Sequence, residues 1–531
     1  MHLDPYYVIT GSTGYLNKAS RKIIEKRYFD EKRKQPGVAF PSATKQKHIF
    51  ILRFDISDSI SGNNGENIEI VRTGLKKICR LFDKISVGEK KINELSEDGD
   101  LVPRALSHFN FSATIGFGSS FFRKLDIPER NTPKKIKDMP DYLELGDITP
   151  YSMHQTDFII QLGADDDYIN RWVYQNQVGI VKKQQKKNVT YNNYQVQTDL
   201  QTGFGDSEDN ESPDIFSTIR NWTKITDLHN GFQRLDGKNL LGFNDGISNP
   251  FRLSNDVIWT TSQEEHQKFQ DGTYMVFQKV EHDLEKWQSL HEEKQELWVG
   301  RSKGTGLLLG TLSKDEDRKL ALDLLSTNDF LRGAAIKKWK MLYNQQKSPD
   351  TKFYDPAQSQ FRGIQLECPV WSHVRKANPR QLDGAADIRI FRRGYLYNDD
   401  SVNGKSSSGL LFICFQKDIE RGFEYIKKKF LNNVNFPVPR QRKSFNHIEV
   451  VKRRQQGRLT TPELQALNKN IKYHVDDNTQ NTGRDGLSGP SENGVYQDGQ
   501  FPVTITLGGG YYFIPPIPRK KISEIGEQFF D

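Results

Sequence analysis

The sequence predicts an α+β protein made of two similar sandwiches, each an antiparallel sheet with helices on one face. Short runs of alternating apolar residues indicate strands, and longer runs with apolar residues at helical spacing indicate helices. One order of predicted elements occurs twice along the chain: strand, long helix, strand, strand, helix, strand. This repetition predicts a duplicated architecture.

The first copy starts with alternating apolar residues that predict a strand: Phe50, Leu52, Phe54 and Ile56. The helix predicted next rests on the spacing of Leu75, Ile78, Cys79, Phe82 and Ile85. Two more strands are predicted over residues 111–118 and 158–162. Asp165 then begins a helix, because an acid near a helix N-terminus complements the helix dipole. Residues 182–215 are polar and predict an exposed loop.

The second copy begins with a predicted strand over residues 274–280, and Asp283 opens a helix that runs towards Trp298. Ser313 and Glu316 have the spacing of a capping box, so they predict the start of a further helix. The positions of this helix expected to face inward are Leu320, Leu324 and Leu325. The remaining predicted elements are a buried strand over 410–415, a helix from Asp418 through Phe430, and a strand over 503–507.

The length of 531 residues is sufficient for two domains with large insertions. We predict an N-terminal extension over residues 1–45, draped over the body of the protein. It precedes a first domain over 46–255 and a second domain over 256–531. Each domain carries one predicted polar insertion, at 182–215 in the first and at 433–500 in the second.

The charge of the chain argues against a dedicated nucleic-acid surface. Its 76 basic and 68 acidic residues give a net charge of +8, but the two signs are mixed throughout the chain. A nucleic-acid surface needs basic residues gathered on one face, so we expect no nucleic-acid partner. The start of the chain lacks the pattern of a signal peptide, and no apolar run approaches the length of a membrane span. We therefore expect a cytoplasmic protein with no membrane partner.

The three cysteines, Cys79, Cys368 and Cys414, lie far apart and form no C-x-x-C pair. A disulfide framework or a structural zinc site is therefore not expected. A lone histidine such as His373 is most often an ordinary hydrogen-bonded residue, and a single protein ligand cannot hold zinc. One axial histidine is enough for haem, because the porphyrin supplies the other four nitrogens. If His373 binds a metal, haem is the centre that it indicates.

Three short motifs carry a carboxylate, a histidine and an arginine. Asp245 lies in the segment GFNDGISNP, where a role in a turn or a helix cap is the ordinary interpretation. His373 lies in the segment WSHVRKANPR, and Arg392 lies in the segment RIFRRG. Together the three side chains could form one site shared between the two halves of the chain.

These motifs and their spacing resemble the dye-decolorising peroxidases, the DyP-type haem peroxidases. Further segments resemble the family in the same order along the chain, and they span residues 271–277, 298–301, 409–416 and 509–513. The resemblance covers residues 48–516, apart from the insertions. A single GxxDG motif is weak evidence, whereas five or six segments in the family's order are strong evidence.

The resemblance implies a pair of ferredoxin-like domains in the dimeric α+β barrel-like architecture of the family. It implies that heme b (iron protoporphyrin IX) binds mainly in the C-terminal half. His373 resembles the proximal iron ligand, Asp245 the distal acid–base and Arg392 the distal arginine.

Other positions resemble residues that contact the cofactor, and these are Arg301, Arg375, Leu410, Phe412 and Asp485. Leu410 and Phe412 match apolar residues that line the distal pocket. Asp485 matches the acid that hydrogen-bonds the proximal histidine. Gly486 and Ser488 depart from the family pattern, so an ordinary acid of the insertion is an equal alternative for Asp485.

The implied activity is the reduction of hydrogen peroxide with oxidation of dyes, phenols or other small organic one-electron donors. Asp245 would take a proton from peroxide and return it to the far oxygen, so that water leaves. Arg392 would favour the ionised form of Asp245 and stabilise charge as the O–O bond breaks. Alternatively, Arg392 pairs with a haem propionate, a role equally open to Arg301, Arg375, Arg380, Arg389 and Arg393.

A second hypothesis is a haem-binding or iron-handling protein without significant peroxidase turnover. The pair of Asp245 and Arg392 argues against it, because a carrier needs neither a base nor a charge stabiliser. A third hypothesis, a basic scaffold for nucleic acid, is suggested only by an isoelectric point of about 9.0. Assembly into a homo-oligomer is left open.

Overall fold

The computed structural model describes the chain in segments, and every structural statement concerns these segments. They are residues 33–39, 46–60, 65–86, 91–95, 101–105, 110–147, 149–173, 189–191, 194–196, 222–234, 236–243, 256–309, 311–347, 372–378, 388–402, 405–433, 503–518 and 524–530.

The N-terminal half forms one four-stranded antiparallel sheet. The strands of this half are β1 (His48–Ile56), β2 (Lys91–Leu95), β3 (Leu101–Ala105), β4 (Ser112–Phe117), β5 (Phe158–Ala164), β6 (Val189–Tyr191), β7 (Tyr194–Val196) and β8 (Thr223–Phe232). Its helices are α1 (Pro36–Ala39), α2 (Gly65–Ser86), α3 (Ser119–Lys124) and α4 (Asp167–Val173). The main sheet has the order β8–β1–β5–β4, while β2–β3 and β6–β7 are separate hairpins. The fourth, first, third and second strands of the sheet are thus neighbours, which is the ferredoxin-like order.

The C-terminal half repeats this order. Its strands are β9 (Thr273–His282), β10 (Phe391–Arg392), β11 (Tyr395–Val402), β12 (Lys405–Gln416) and β13 (Thr504–Ile514). Its helices are α5 (Leu284–Ser289), α6 (Glu292–Val299), α7 (Lys314–Leu324), α8 (Asp329–Lys347), α9 (His373–Ala377) and the π-helical turns π1 (Glu420–Glu424) and π2 (Ile426–Leu431). The sheet order is β11–β12–β9–β13, and β10 continues the edge of β12 beyond β11. The predicted duplication is confirmed.

The two sheets close into one antiparallel barrel. Leu396 of β11 pairs with Phe232 of β8, and Phe513 of β13 pairs with Phe117 of β4. The long strand β12 also pairs with β9 over eight residues from Gly409 to Gln416, so the described main sheet has no open break. The α+β fold class, with two ferredoxin-like units joined as a barrel, is confirmed.

Side chains on the barrel strands alternate between an inner and an outer core. On β12, Leu411, Ile413 and Phe415 belong to the inner apolar cluster. Phe412 and Cys414 belong with the outer cluster, where the strands are covered by helices such as α2 and π1. Two residues that follow each other on a strand therefore serve different faces of the sheet, which determines the side of the barrel that carries the candidate site.

Several helices differ from their prediction in detail. The helix predicted from Asp283 to Trp298 is two helices, because Leu290 adopts extended backbone angles (φ −78°, ψ 138°) after α5. The capping box of Ser313 and Glu316 is present at the start of α7. Leu320 and Leu324 are buried as predicted, but Leu325, the residue that ends α7, is 44% exposed.

Two loop and helix predictions are also corrected. The predicted exposed loop over residues 182–215 contains the hairpin β6–β7. The helix predicted from Asp418 exists, but it is π-helical: Glu424 N donates to Ile419 O and Asn432 N donates to Lys427 O, each five residues back. A π-helix places side chains at a different angular spacing from an α-helix, which apolar residues alone did not reveal.

Part of the N-terminal extension is buried. Val38 is fully buried and belongs to the inner cluster of the barrel. The expectation of an extension draped over the body is therefore wrong for the buried residues Lys34, Gln35, Gly37 and Val38. The predicted domain boundaries and the insertion over 433–500 stay predictions. No described helix is long and apolar enough to cross a membrane.

Candidate active site

Three of the predicted site residues lie on the same outer face of the C-terminal sheet. Arg392 of β10 is paired with Cys414 of β12, so their side chains share a face. Leu410 and Phe412 precede Cys414 at two-residue intervals, and they therefore lie on this face as well. The structure thus places Arg392, Leu410 and Phe412 on one face of the sheet.

These three residues are among the accessible positions of this face. Arg392, Leu410 and Phe412 are only partly buried, whereas Cys414 beside them is fully buried. Burial raises the pKa of the Cys414 thiol, and the nearby positive charge of Arg392 opposes that rise. The thiol is therefore protonated at neutral pH. The reachable surface is an apolar patch with a guanidinium at its edge.

His373 is the first residue of the short helix α9. Ser372 adopts extended angles (φ −59°, ψ 149°) before the helix, and Lys376 N donates to Ser372 O at 3.0 Å. The helix lies against α6 and π2, and the ammonium of Lys376 donates to the carbonyl of Asn433 at 2.9 Å. His373 is partly buried, with its Nδ1 atom buried. Its imidazole is therefore carried by a short helix whose C-terminal end is hydrogen-bonded to the chain that follows π2.

Arg301 lies in a tight loop that follows α6. Gly300 ends the helix with a left-handed backbone (φ 89°), and Arg301 then pairs across the loop with Leu308. Arg301 is 4% exposed, and its Nη1 donates to the carbonyl of Gly306 at 2.9 Å. The carboxylate of Asp317 accepts hydrogen bonds from two further loop residues, Ser302 and Thr305. The guanidinium therefore has a fixed position.

The segment that leads to Asp245 is anchored on the same loop. Phe243 N donates to Asn239 Oδ1 at 3.0 Å, and Gly242 has a left-handed backbone (φ 91°). The indole N–H of Trp287 donates to Leu241 O at 3.1 Å. The ammonium of Lys303, two residues after Arg301, lies 5.7 Å from the centre of the Phe243 ring. The chain just before Asp245 is thus packed against the loop that carries Arg301.

Three predicted site residues lie wholly or partly outside the part of the chain that the structure describes. Asp245 and Asp485 lie outside the described residues, and so does the side chain of Arg375. The catalytic and cofactor-binding roles of all the predicted residues remain predictions, including those of the residues that the structure brings together.

Sequence reasoning missed a buried polar cluster on the same outer face. The ammonium of Lys427 on π2 lies 2.7 Å from the carboxylate of Asp147, in the N-terminal half. It also donates to Thr506 Oγ1 at 3.2 Å and to Gln278 Oε1 at 3.4 Å, and Gln278 is paired with Phe412. Burial and the carboxylate of Asp147 raise the pKa of Tyr151, which donates to that carboxylate. The only sequence signal was the run of lysines 427–429, which is typical of a solvated face.

Comparison with known families assigns the chain to a class. The family model described as "Dyp-type peroxidase, N-terminal" matches residues 44–186, and the model described as "Dyp-type peroxidase, C-terminal" matches residues 236–436. The chain therefore belongs to the Dyp-type peroxidase family, a family of haem enzymes, and its cofactor is haem.

Individual relatives support the same assignment. Proteins named deferrochelatase from Escherichia coli O6:K15:H31 (strain 536) and from E. coli strain K12 are each 28% identical over 228 residues. The match covers 41% of this chain and 44% of each relative, so the chain spans less than half the length of the curated relatives it matches.

Two solved structures share the fold. A DyP-type peroxidase from Anabaena sp. superposes with a TM-score of 0.53 at 16% identity, covering 99% of this chain and 97% of that one. A fungal DyP-type peroxidase from Auricularia auricula-judae gives a TM-score of 0.52 at 16% identity, covering 94% and 99% of the two chains. At this level of identity the likeness establishes the fold alone.

The described residues include the types of side chain that bind a haem group. A haem needs an axial ligand, an apolar surface for the macrocycle and cations for its propionates. The described residues include the imidazole of His373, the apolar patch of Leu410 and Phe412, and the buried guanidinium of Arg301. They include no group of three His, Cys, Asp or Glu residues that could hold a bare metal ion.

Proposed function

We propose that the protein is a haem peroxidase that reduces hydrogen peroxide while it oxidises dyes, phenols or other small organic one-electron donors. The observation that carries the proposal is the arrangement of Arg392 beside the accessible apolar patch of Leu410 and Phe412 on one sheet face. A guanidinium at the edge of an apolar surface is the group expected where negative charge develops in a dry site. Membership of the Dyp-type peroxidase family supports the same assignment.

When bound, haem supplies the redox chemistry, in which peroxide receives two electrons and two organic donors each return one. The imidazole of His373 would hold the iron. Asp485 would accept the N–H of this imidazole, which makes it a stronger donor to the metal. Arg301 and Arg375 would pair with the propionates, as guanidinium groups do with carboxylates.

Asp245 would be the proton carrier. Its carboxylate takes the proton from the near oxygen of hydrogen peroxide and gives it to the far oxygen, so that water leaves. The guanidinium of Arg392 favours the ionised carboxylate and stabilises the charge on the departing oxygen as the O–O bond lengthens. The side chains of Leu410 and Phe412 exclude bulk water, which strengthens these electrostatic interactions.

The decisive test is steady-state oxidation of an anthraquinone dye and of a phenol by the purified, haem-loaded protein. We expect turnover that requires hydrogen peroxide and saturates with both substrates. Rates no greater than those of free haem at the same concentration would contradict the proposal.

A second candidate function is iron handling without significant peroxidase turnover. The name deferrochelatase carried by the curated relatives favours it. Iron release from bound haem under reducing conditions, measured with a ferrous chelator, would support this candidate if peroxide-dependent turnover is absent.

A further inference from the structure

Gln35 joins the N-terminal segment to the barrel through both of its side-chain groups. Its amide oxygen accepts from Ile115 N at 2.9 Å, and its Nε2 donates to Ile115 O at 3.1 Å. The same Nε2 donates to the carbonyl of Pro515, just after β13, at 3.0 Å. Gln35 is 1% exposed. Inside the protein, its amide makes the hydrogen bonds to the backbone of β4 that a neighbouring strand would otherwise make.

Gly37 and Val38 insert into the end of the barrel. Val38 is fully buried in the inner cluster that also contains Ile159 and Phe415. A Cβ atom placed on Gly37 would lie 1.9 Å from Thr114 Oγ1 of β4. Only a glycine permits this approach without displacement of the strand or of the Thr114 side chain. We name residues 33–39 the plug.

The plug also contacts the strand that carries Arg392. The carbonyl of Gly37 accepts a hydrogen bond from Arg393 Nη1. Arg393 is 6% exposed, and its guanidinium lies 5.5 Å from the centre of the Phe391 ring. Its backbone N–H donates to Ile413 O at 2.7 Å, which fixes the chain immediately after Arg392.

Strand β10 needs such support because it is short. It consists of Phe391 and Arg392 alone, and its ladder pairing with β12 covers these two residues. A two-residue strand has little pairing of its own to resist local opening. The buried guanidinium of Arg393, bonded to the plug, ties this strand to β4 through Gly37.

We propose that the plug closes one end of the barrel and, through Gly37 and Arg393, positions β10 so that the side chain of Arg392 points to the outer face. Arg393 is thus a positioning residue for Arg392. The positioning rests on the structure alone, while its consequence for peroxide chemistry rests on the function proposed above.

The test compares hydrogen exchange and kinetics in Gly37→Ala with those in Gly333→Ala. Gly333 lies in α8, where an added Cβ meets nothing within 4 Å, so it is a matched control. In Gly37→Ala we expect amide exchange in a peptide covering residues 391–394 to become faster by about tenfold or more. This is the loss of protection expected when a hydrogen bond from a charged donor is broken. Exchange in α7, whose buried leucines belong to a separate apolar cluster, should stay unchanged. The kcat/KM for peroxide should fall, while KM for the organic donor is retained.

A second variant and a rescue complete the experiment. Arg393→Met keeps the apolar stem but removes the donor, and it should reproduce the faster exchange of β10. Gly37→Ala/Thr114→Ala removes the atom nearest the added methyl group, Thr114 Oγ1, and the nearest remaining atom is the Cβ of residue 114 at 3.2 Å, so protection of β10 should largely return. Unchanged exchange of β10 in both Gly37→Ala and Arg393→Met would overturn the proposal. If β10 exchanges faster in these variants but the wild type shows no measurable peroxidase turnover, the positioning of β10 by the plug is supported and the proposed function is refuted.

Discussion

Arg392 of β10 lies directly opposite Cys414 of β12, and its positive charge opposes the rise that burial causes in the pKa of the Cys414 thiol. This pairing fixes the face of the sheet on which the guanidinium lies, two positions along from Phe412. The register thus connects a residue of a two-residue strand to the apolar patch of a long buried strand. It is the geometric basis for assigning charge stabilisation to Arg392.

Replacement of this guanidinium should slow the reaction with peroxide without loss of haem. For Arg392→Leu we expect kcat/KM for hydrogen peroxide to fall about 10²–10³-fold, the usual effect of removing one stabilising donor. Stopped-flow absorption measurements at pH 7 report the rate. Arg123→Leu is the matched control, because the Arg123 side chain is 64% exposed. An Arg392→Leu rate equal to that of the wild type would exclude the assigned role.

The carboxylate of Asp245 should matter for proton transfer and not for cofactor binding. Asp245→Asn keeps the size and polarity of the side chain but cannot accept the peroxide proton. We expect normal haem content and a fall of about 10²–10⁴ in kcat/KM for hydrogen peroxide. Haem content by pyridine haemochrome and the same stopped-flow measurement separate the two effects. Normal peroxide kinetics in Asp245→Asn would remove Asp245 from the mechanism.

The pair of Lys427 and Asp147 should stabilise the fold only when both members are present. The two side chains are 9% and 14% exposed. Lys427→Met leaves a buried carboxylate without its cation, so the free energy of unfolding should fall by about 3 kcal/mol or more. Lys427→Met/Asp147→Asn should recover most of this loss. Urea unfolding measures both variants.

An exposed ion pair provides the comparison for this experiment. Lys314 and Glu293 are 2.7 Å apart, but their side chains are 83% and 60% exposed. Lys314→Met should leave the free energy of unfolding nearly unchanged, because both charges stay in water. A loss in Lys427→Met no larger than that in Lys314→Met would show that the buried pair is not structural.

His282 should make the fold less stable in acid. Burial lowers the pKa of His282 from its ordinary value of 6.5 to about 4. The unfolded chain therefore binds a proton at a higher pH than the folded chain, so stability from this group is complete above pH 6.5. It is lost progressively as the pH falls towards 4, by about 3 kcal/mol in total.

His282→Gln stays neutral throughout this range and provides the measurement. The difference in free energy of unfolding between pH 7 and pH 4 should be smaller in His282→Gln than in the wild type by about 3 kcal/mol. Identical pH profiles for the two proteins would show that His282 is not buried as a neutral side chain.

Periodicity predicted the strands and helices that follow simple apolar patterns, but it missed β8. Asp227 and His229 face the barrel interior where apolar residues would be expected. The fully buried guanidinium of Arg53 pairs with Asp227 Oδ2 at 2.9 Å, and His229 stacks on Phe277 with 5.4 Å between ring centres. Polar residues that satisfy each other inside a barrel remove the alternation that indicates a strand.

Motif spacing and family resemblance proposed the residues of the candidate site, and the structure places three of them, Arg392, Leu410 and Phe412, on one face of the sheet. They could not reveal the contacts that support the site. The hydrogen bond between Arg393 and Gly37 joins residues 356 positions apart. Lys427 and Asp147 meet only because the two sheets close into one barrel. Such pairs depend on the tertiary fold and leave no local pattern in the sequence.

The most direct test of the account is the absorption spectrum of the purified protein beside that of His373→Ala. We predict a strong Soret band in the wild type, shifted on addition of hydrogen peroxide, and a band that is lost or strongly shifted in His373→Ala. A variant that keeps the wild-type Soret band and its response to peroxide would contradict the account.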